Sequence, residues 1–286
     1  MSSSDTGRTV TVACQGTRGA YSQLAAEKMF PDAAYIYFRT FDAVARAVRE
    51  GMCTYGVLPV ENNTYGSVKE VYRVIARHRL PIVKGCRLPV RHVLLAKPGT
   101  LPGDVKQIYS HEQALGQCAA FLHSLGDAVE VIPCLNTAVA AREVSESDAA
   151  AGRAAIASPE CADIYGLQVI RRGIADTDTN YTRFAAVAAE EERRPGANRV
   201  SLMLTLPHRV GALAGVLSEF ARAGLNLLKI ESGPIPGRDF EFLFYIDIEA
   251  PDTEEKITDI LGKLRRECPD FTFLGMYPET AYERKP

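Results

Sequence analysis

Asp176-Thr177-Asp178-Thr179-Asn180-Tyr181-Thr182-Arg183-Phe184-Ala185-Ala186-Val187-Ala188 changes character at its centre. A run of polar, turn-forming residues gives way to a run that is almost wholly apolar. Such a change is expected where a loop enters a buried strand. Thr182 and Arg183 then stand at the mouth of that strand. Arginine is a permanently charged planar fork suited to carboxylates, and threonine adds a hydroxyl that donates and accepts. Taken alone, the pair fits a solvated strand edge as well as a binding site.

The segments on either side repeat one pattern. Towards the N-terminus, apolar β-branched runs at 9–14, 34–38, 55–60, 82–88, 91–96, 105–109, 129–134 and 154–157 read as strands. Between them, runs with helical spacing occupy 21–29, 41–50, 68–78, 112–125 and 137–145. Strand–helix alternation of this kind implies an α/β region built on parallel or mixed sheets. The glycine turn Gln15-Gly16-Thr17-Arg18-Gly19 follows the first strand, but it is neither a dinucleotide fingerprint nor a phosphate-binding loop with Gly-Lys-Ser/Thr. Ser158-Pro159 puts a proline at an expected first helical position.

The charged run Glu190-Glu191-Glu192-Arg193-Arg194, followed by Pro195-Gly196, reads as a linker. Beyond it the order becomes βαββαβ: strand 199–206, helix 211–223, strand 225–231, a Gly/Pro loop at 232–239, strand 240–248, helix 254–267 and strand 271–277. That is the ferredoxin-like arrangement.

Composition narrows the function. The chain has 286 residues, 47% hydrophobic and 24% charged, which predicts more than one globular domain. A net charge of −2 argues against a nucleic-acid partner, and no apolar run is long enough to span a membrane. The N-terminal residues 1–8 are polar, read as unstructured, and lack a signal-peptide layout. Seven scattered cysteines without a Cys-x-x-Cys pair are expected to be reduced thiols, with a cytoplasmic location and no metal site.

Polar clusters collect where strands end or helices begin: Gly19-Ala20-Tyr21-Ser22, Glu61 to Ser67, Ser110-His111-Glu112-Gln113 and Ala157-Ser158. Ligands of open α/β sheets bind at such places, and helix N-termini there favour anions. One cationic fork with several hydroxyls and amides suggests a small carboxylate-bearing molecule. Serine and asparagine at these points are equally the residues of ordinary helix caps.

Together Gly19-Ala20-Tyr21-Ser22, Glu61-Asn62-Asn63 with Gly66-Ser67-Val68, Ser110-His111 with Gln113-Ala114-Leu115 and Gln117-Cys118, and Asn180-Tyr181-Thr182-Arg183-Phe184 resemble the prephenate dehydratase family. Gly211-Ala212-Leu213 and Asn226-Leu227-Leu228-Lys229-Ile230-Glu231-Ser232 resemble the regulatory ACT domain of the same enzymes. The resemblance implies a two-lobed, periplasmic-binding-protein-like catalytic region over 9–190. Lobe one would take 9–88 and 172–190, lobe two 89–171, and an ACT domain 198–278. The chain would cross between lobes near 88–93 and 168–175, and no chorismate mutase segment is expected before Thr9.

The implied reaction is loss of water and carbon dioxide from prephenate, giving phenylpyruvate without a cofactor. Thr182 and Arg183 would be catalytic, Thr182 bonding the departing hydroxyl and Arg183 holding a carboxylate. Ala20, Tyr21, Ser22, Glu61, Asn62, Asn63, Ser67, Ser110, His111, Gln113, Ser158, Asn180 and Phe184 would bind substrate. Phenylalanine would bind between two chains at Gly211, Ala212, Leu213, Asn226, Leu227, Glu231 and Ser232, within a homodimer or homotetramer joined through the ACT domains. The sequence departs from the family at Gly233, where arginine is usual, and at Asn63, where serine is commoner. Arogenate as substrate, or a non-catalytic amino-acid-responsive binder, are the competing readings.

Overall fold

The computed structural model describes residues 9–192, 194–235, 238–251 and 253–280. The N-terminal segment 1–8 lies outside them. Lobe one begins with β1 (Thr11–Gln15), α1 (Tyr21–Met29), β2 (Ala34–Phe38), α2 (Phe41–Arg49), β3 (Tyr55–Asn62), the short β4 (Gly66–Ser67), α3 (Lys69–His78) and β5 (Ile82–Pro89). Lobe two holds β6 (Val93–Ala96), β7 (Gln107–Ser110), α4 (Glu112–Gly116), α5 (Ala119–Ser124), β8 (Glu130–Pro133), α6 (Thr137–Glu146), β9 (Arg153–Ala157), α7 (Glu160–Tyr165) and β10 (Gln168–Arg171). The chain then returns as β11 (Tyr181–Val187), which inserts between β3 and β5 and runs antiparallel to both.

Both sheets are mixed. In lobe two the order is β10-β6-β9-β7-β8, with β7 parallel to β8 and β9 but β6 antiparallel to its neighbours. Two expectations are corrected here. The strand β10 keeps the chain in lobe two beyond residue 168, so the return crossing spans 172–180. The single helix expected over 112–125 is broken at Gln117 and Cys118. Asp176, from that crossing, accepts the N–H groups of Ala119 and Ala120, each at 3.1 Å, and so caps a new helix start. Its own N–H donates to the Gln117 carbonyl at 2.8 Å. Pro159, directly before the assigned start of α7, already has helical dihedrals (φ −56°, ψ −34°), in keeping with a proline at the first helical position.

The C-terminal unit comprises β12 (Arg199–Thr205), α8 (Ala212–Arg222), β13 (Leu227–Ile235), β14 (Arg238–Glu249), α9 (Glu254–Glu267), β15 (Phe271–Tyr277) and β16 (Glu279–Thr280). Its antiparallel sheet runs β13-β14-β12-β15. Much of the loop expected at 232–239 is strand, while 236 and 237 lie outside the described residues. Pro234 is tolerated because β13 is an edge strand, where a missing N–H need not break a ladder.

The central strand β12 of this sheet is buried along its whole length, on both faces. Val200, Leu202 and Leu204 pack with Val216, Phe220, Ile257 and Leu264 of its own helices. Met203, Tyr245, Leu274 and Tyr277 instead join Leu58, Val60, Tyr72, Ile75, Ile82, Ala185 and Val187 of lobe one in a single core. The rings of Tyr72 and Tyr245 lie 4.6 Å apart. Beyond β15 the chain adds β16 to the edge of the lobe-one sheet, parallel to β5. Gly275 (φ +136°) passes so close that a Cβ there would lie 2.3 Å from the Ile82 carbonyl oxygen. The C-terminal unit is thus fused to lobe one rather than hung from a linker.

Candidate active site

The cavity between the lobes has a volume of about 340 Å³. Lobe one supplies Ala20, Tyr21 and Ser22 from the start of α1, Asn62 and Ser67 from β3 and β4, and Thr182 and Phe184 from β11. Lobe two supplies His111 and Gln113 from the start of α4. These nine predicted positions converge. The other six predicted for the catalytic region do not line the cavity.

Strand geometry explains the largest exception. Successive side chains of a strand point to opposite faces. On β11, Phe184 and Ala186 pack with α1 residues Ala25 and Ala26, whereas Ala185 and Val187 pack with the C-terminal unit. Thr182 falls with the first set and Arg183 with the second. The expectation that Arg183 holds a substrate carboxylate in the cavity is therefore corrected. Its guanidinium is 3% exposed and faces the C-terminal sheet. Nη1 donates to Asp247 at 2.6 Å and to Glu61 at 3.3 Å, Nε to Glu279 at 2.5 Å, and Nη2 to the Tyr277 hydroxyl at 2.6 Å. Arg199 closes the cluster, 3.0 Å from both Asp247 and Glu279. Burial alone would lower the Arg183 pKa, but Tyr277, Asp247, Tyr72 and Glu279 raise it well above its ordinary value. Burial likewise pushes Asp247 up, and Arg183, Ser201 and Arg199 outweigh it, leaving the carboxyl below its usual range.

The remaining five have structural partners. Glu61 shares the Arg183 face. Ser110 is fully buried and donates to the Ile156 carbonyl at 2.6 Å, tying β7 to β9. Ser158 donates to the Cys161 thiol at 3.5 Å within the first turn of α7. Asn63 clasps the entry to β11, donating to the Thr179 carbonyl and accepting the Tyr181 N–H at 2.8 Å. Asn180 lies behind the cavity wall, its Oδ1 accepting from Asn62 Nδ2 at 2.9 Å.

Asn62 organises the chemistry. Its Oδ1 accepts the backbone N–H groups of Thr64 and Tyr65 at 2.9 and 3.1 Å, which identifies the oxygen end of the amide. Nδ2 consequently donates, reaching Thr182 Oγ1 at 3.0 Å. With a lone pair so occupied, the Thr182 hydroxyl is left to donate its proton into the cavity.

Several lining residues were not anticipated as site residues. His92 is 5% exposed, its Nε2 lying 2.7 Å from Gln117 Oε1, and burial lowers its pKa below the usual histidine value. The Tyr21 ring meets it edge-on. Asn136 and Thr137 open α6, with Asn136 accepting the Val139 N–H at 2.8 Å. An Asn-Thr pair before a helical run was a legible cap signal; nothing local marked His92. None of the lining residues is Arg, Lys, Asp or Glu. The starts of α1 and α6 open onto the cavity, and a helix N-terminus carries N–H groups and a positive dipole end that suit anions.

In the C-terminal unit, Gly211 and Ala212 line a separate cavity of about 200 Å³. Leu213, Asn226, Leu227, Glu231 and Ser232 do not line it. Asn226 donates to Glu249 at 3.3 Å, and Glu231 lies 3.6 Å from Lys69 of lobe one.

Two α/β lobes flanking a cavity lined by no Arg, Lys, Asp or Glu, with a ferredoxin-like unit packed behind the strand that carries Thr182, define a two-lobed chain with a fused C-terminal domain. Residues 12–192 match the family model described as Prephenate dehydratase, and residues 200–266 match the ACT domain model. The chain belongs to the prephenate dehydratase family. It is 37% identical over 288 residues to arogenate dehydratase/prephenate dehydratase 1, chloroplastic, of Arabidopsis thaliana, covering 94% of this chain and 72% of that one. Among solved structures it is similar to the prephenate dehydratase of Arthrobacter aurescens in complex with L-Phe. That match has 31% identity and a TM-score of 0.83, over 94% of this chain and 90% of the other. A chain described as GqqA, a novel type of quorum quenching acylases, has 28% identity and the same TM-score of 0.83, over 94% and 98%.

Proposed function

We propose that the protein is a prephenate dehydratase, a carbon–oxygen lyase converting prephenate to phenylpyruvate, water and carbon dioxide. The observation that carries this reading is the Thr182 hydroxyl, held by Asn62 on the wall of the cavity between the lobes in a chain of this family. In the reaction the ring C–O bond breaks and the hydroxyl leaves as water, taking up a proton. The bond to the ring carboxylate breaks with it, and its electron pair completes the aromatic ring. Thr182 donates a hydrogen bond to the leaving oxygen; a threonine hydroxyl is too weak an acid to do more than orient or relay the proton. A positioned donor of this kind contributes about 10²–10⁴-fold. The ends of α1 and α6 hold the carboxylates. The ring carboxylate disperses its charge as it leaves, which the apolar walls of Phe41, Val90 and Phe184 favour.

Arogenate carries an ammonium where prephenate has a keto oxygen. The cavity wall offers no carboxylate to pair with an ammonium, which favours prephenate. Steady-state rates with each substrate, following phenylpyruvate by absorbance and phenylalanine by chromatography, decide between them. Faster turnover of arogenate reverses the preference. No turnover of either, with phenylalanine still bound, identifies a binding protein instead. Phenylalanine control through paired ACT domains and a cytoplasmic location complete the proposal. The presence of an ACT domain and the L-Phe complex of the Arthrobacter aurescens relative support the effector.

A further inference from the structure

Asn136 ends in a donor that has nothing to bond. Its Oδ1 accepts the Val139 N–H at 2.8 Å, which fixes the oxygen end of the amide and leaves Nδ2 as the donor. That nitrogen is buried and has no hydrogen-bond partner among the described residues. Asn136 lines the cavity between the lobes, directly before α6. Buried polar groups are ordinarily paired, so an unpaired donor beside a cavity points to a ligand.

The surroundings give the ligand its character. A Cβ built on Gly16 would lie 3.4 Å from Asn136 Nδ2 and 3.0 Å from the Ala20 Cβ. Ala20 and Asn136 are the residues that precede α1 and α6. The starts of two helices, one from each lobe, therefore meet across a single glycine. Both helices carry the same stripe. Ser22, Ala25, Ala26 and Met29 are buried on α1, and Thr137, Ala140, Ala141 and Val144 are buried on α6. The spacing i, i+3, i+4, i+7 puts each set on one face. Each face begins with a hydroxyl at the cavity and continues as apolar core. Ser22 is 5% exposed and Thr137 9%, and no hydrogen bond holds either hydroxyl among the described residues. Two hydroxyls, an amide donor and two positive helix ends, on a wall without a carboxylate, suit a carboxylate ligand.

We propose that Asn136 and Thr137, with Ser22 from the other lobe, hold the side-chain carboxylate of prephenate, the one retained in phenylpyruvate. This rests on the function proposed above. The ring carboxylate must shed its charge as carbon dioxide, and donors gripping it would oppose its departure. The side-chain carboxylate keeps its charge throughout, so the same contacts serve substrate, transition state and product. Binding that is equal in ground and transition states lowers KM and leaves kcat alone. Arogenate carries the same carboxylate, so the assignment holds for either substrate.

The test is steady-state kinetics and product inhibition of the full chain carrying Asn136→Asp, Thr137→Val or Ser22→Ala. Aspartate caps a helix as well as asparagine, so Asn136→Asp keeps the cap while replacing the donor by a negative charge. It is expected to raise KM about 100-fold, with kcat within about threefold and the melting temperature unchanged. The competitive Ki of phenylpyruvate should rise by a similar factor. Thr137→Val and Ser22→Ala should each raise both constants about five- to tenfold. Wild-type KM and Ki in Asn136→Asp overturn the proposal. A raised KM with an unchanged Ki also overturns it, because the contact then belongs to the carboxylate that leaves. Lost kcat at unchanged KM does the same. If Asn136→Asp fails to fold, Thr137→Val decides by the same two constants, since it only exchanges a hydroxyl for a methyl group. Wild-type chain that dehydrates neither substrate overturns the functional reading itself. An active wild type with an unaltered Asn136→Asp overturns this subsite alone.

Discussion

The two faces of β11 divide the work of one short motif. On one face Thr182 and Phe184 look into the cavity; on the other Arg183, Ala185 and Val187 are sealed against the C-terminal sheet. Adjacent residues that read together as a catalytic pair therefore serve different ends. The hydroxyl meets substrate, while the guanidinium anchors one domain to another through Asp247, Glu279 and Tyr277. A charge in a site-like motif can thus be a domain clamp, and the period of the strand says which.

The largest effect is expected on the cavity face. Thr182→Val should lower kcat by about 10²–10⁴-fold while leaving the melting temperature close to wild type, because it removes only a hydroxyl. Steady-state rates and calorimetric melting check both halves; near-normal turnover would remove Thr182 from the chemistry.

Arg183→Met should behave in the opposite way. It leaves Asp247 and Glu279 buried without their principal cation, and breaking a buried pair costs about 3–5 kcal/mol. Urea unfolding should show that loss, with KM of the folded fraction little altered. Full stability with a raised KM would return Arg183 to the substrate.

The clamp should also respond to acid. The Asp247 carboxyl sits below its ordinary value of 3.8 in the folded chain. A carboxyl depressed on folding contributes stability that is present above the unfolded value and lost as pH falls through the folded one. Wild-type stability should therefore drop as pH falls from just above 3.8 to below it, and Asp247→Asn should show a shallower drop from a lower starting point. Parallel pH curves for the two proteins would deny Asp247 this part.

The smallest effect is expected at His111. It lines the cavity but also caps α4, its Nδ1 accepting the Gln113 N–H at 3.3 Å. Asparagine caps helices well, so His111→Asn should change kcat/KM by less than about tenfold. Abolished kcat at unchanged KM would make His111 the proton donor in place of Thr182.

The sequence by itself determined the periodic elements, the α/β and βαββαβ orders, and the clusters at strand ends and helix starts. These follow from local physics: apolar spacing, glycine and proline punctuation, and capping residues. The strand expected around Thr182 and Arg183 held the clue that these adjacent residues must face apart. Only the tertiary structure decided what lay on each face. Asp176 splitting a helix from 57 residues away, Asn62 reaching Thr182 across 120 positions and Lys229 reaching Ser67 across 162 are contacts that no local pattern encodes. Arg199, Ser201 and Asp247 are polar residues of strands, yet they are buried because β12 and this part of β14 pack against lobe one as well as against their own helices. A strand's period says which residues share a face, but what covers that face depends on how distant parts of the chain pack together.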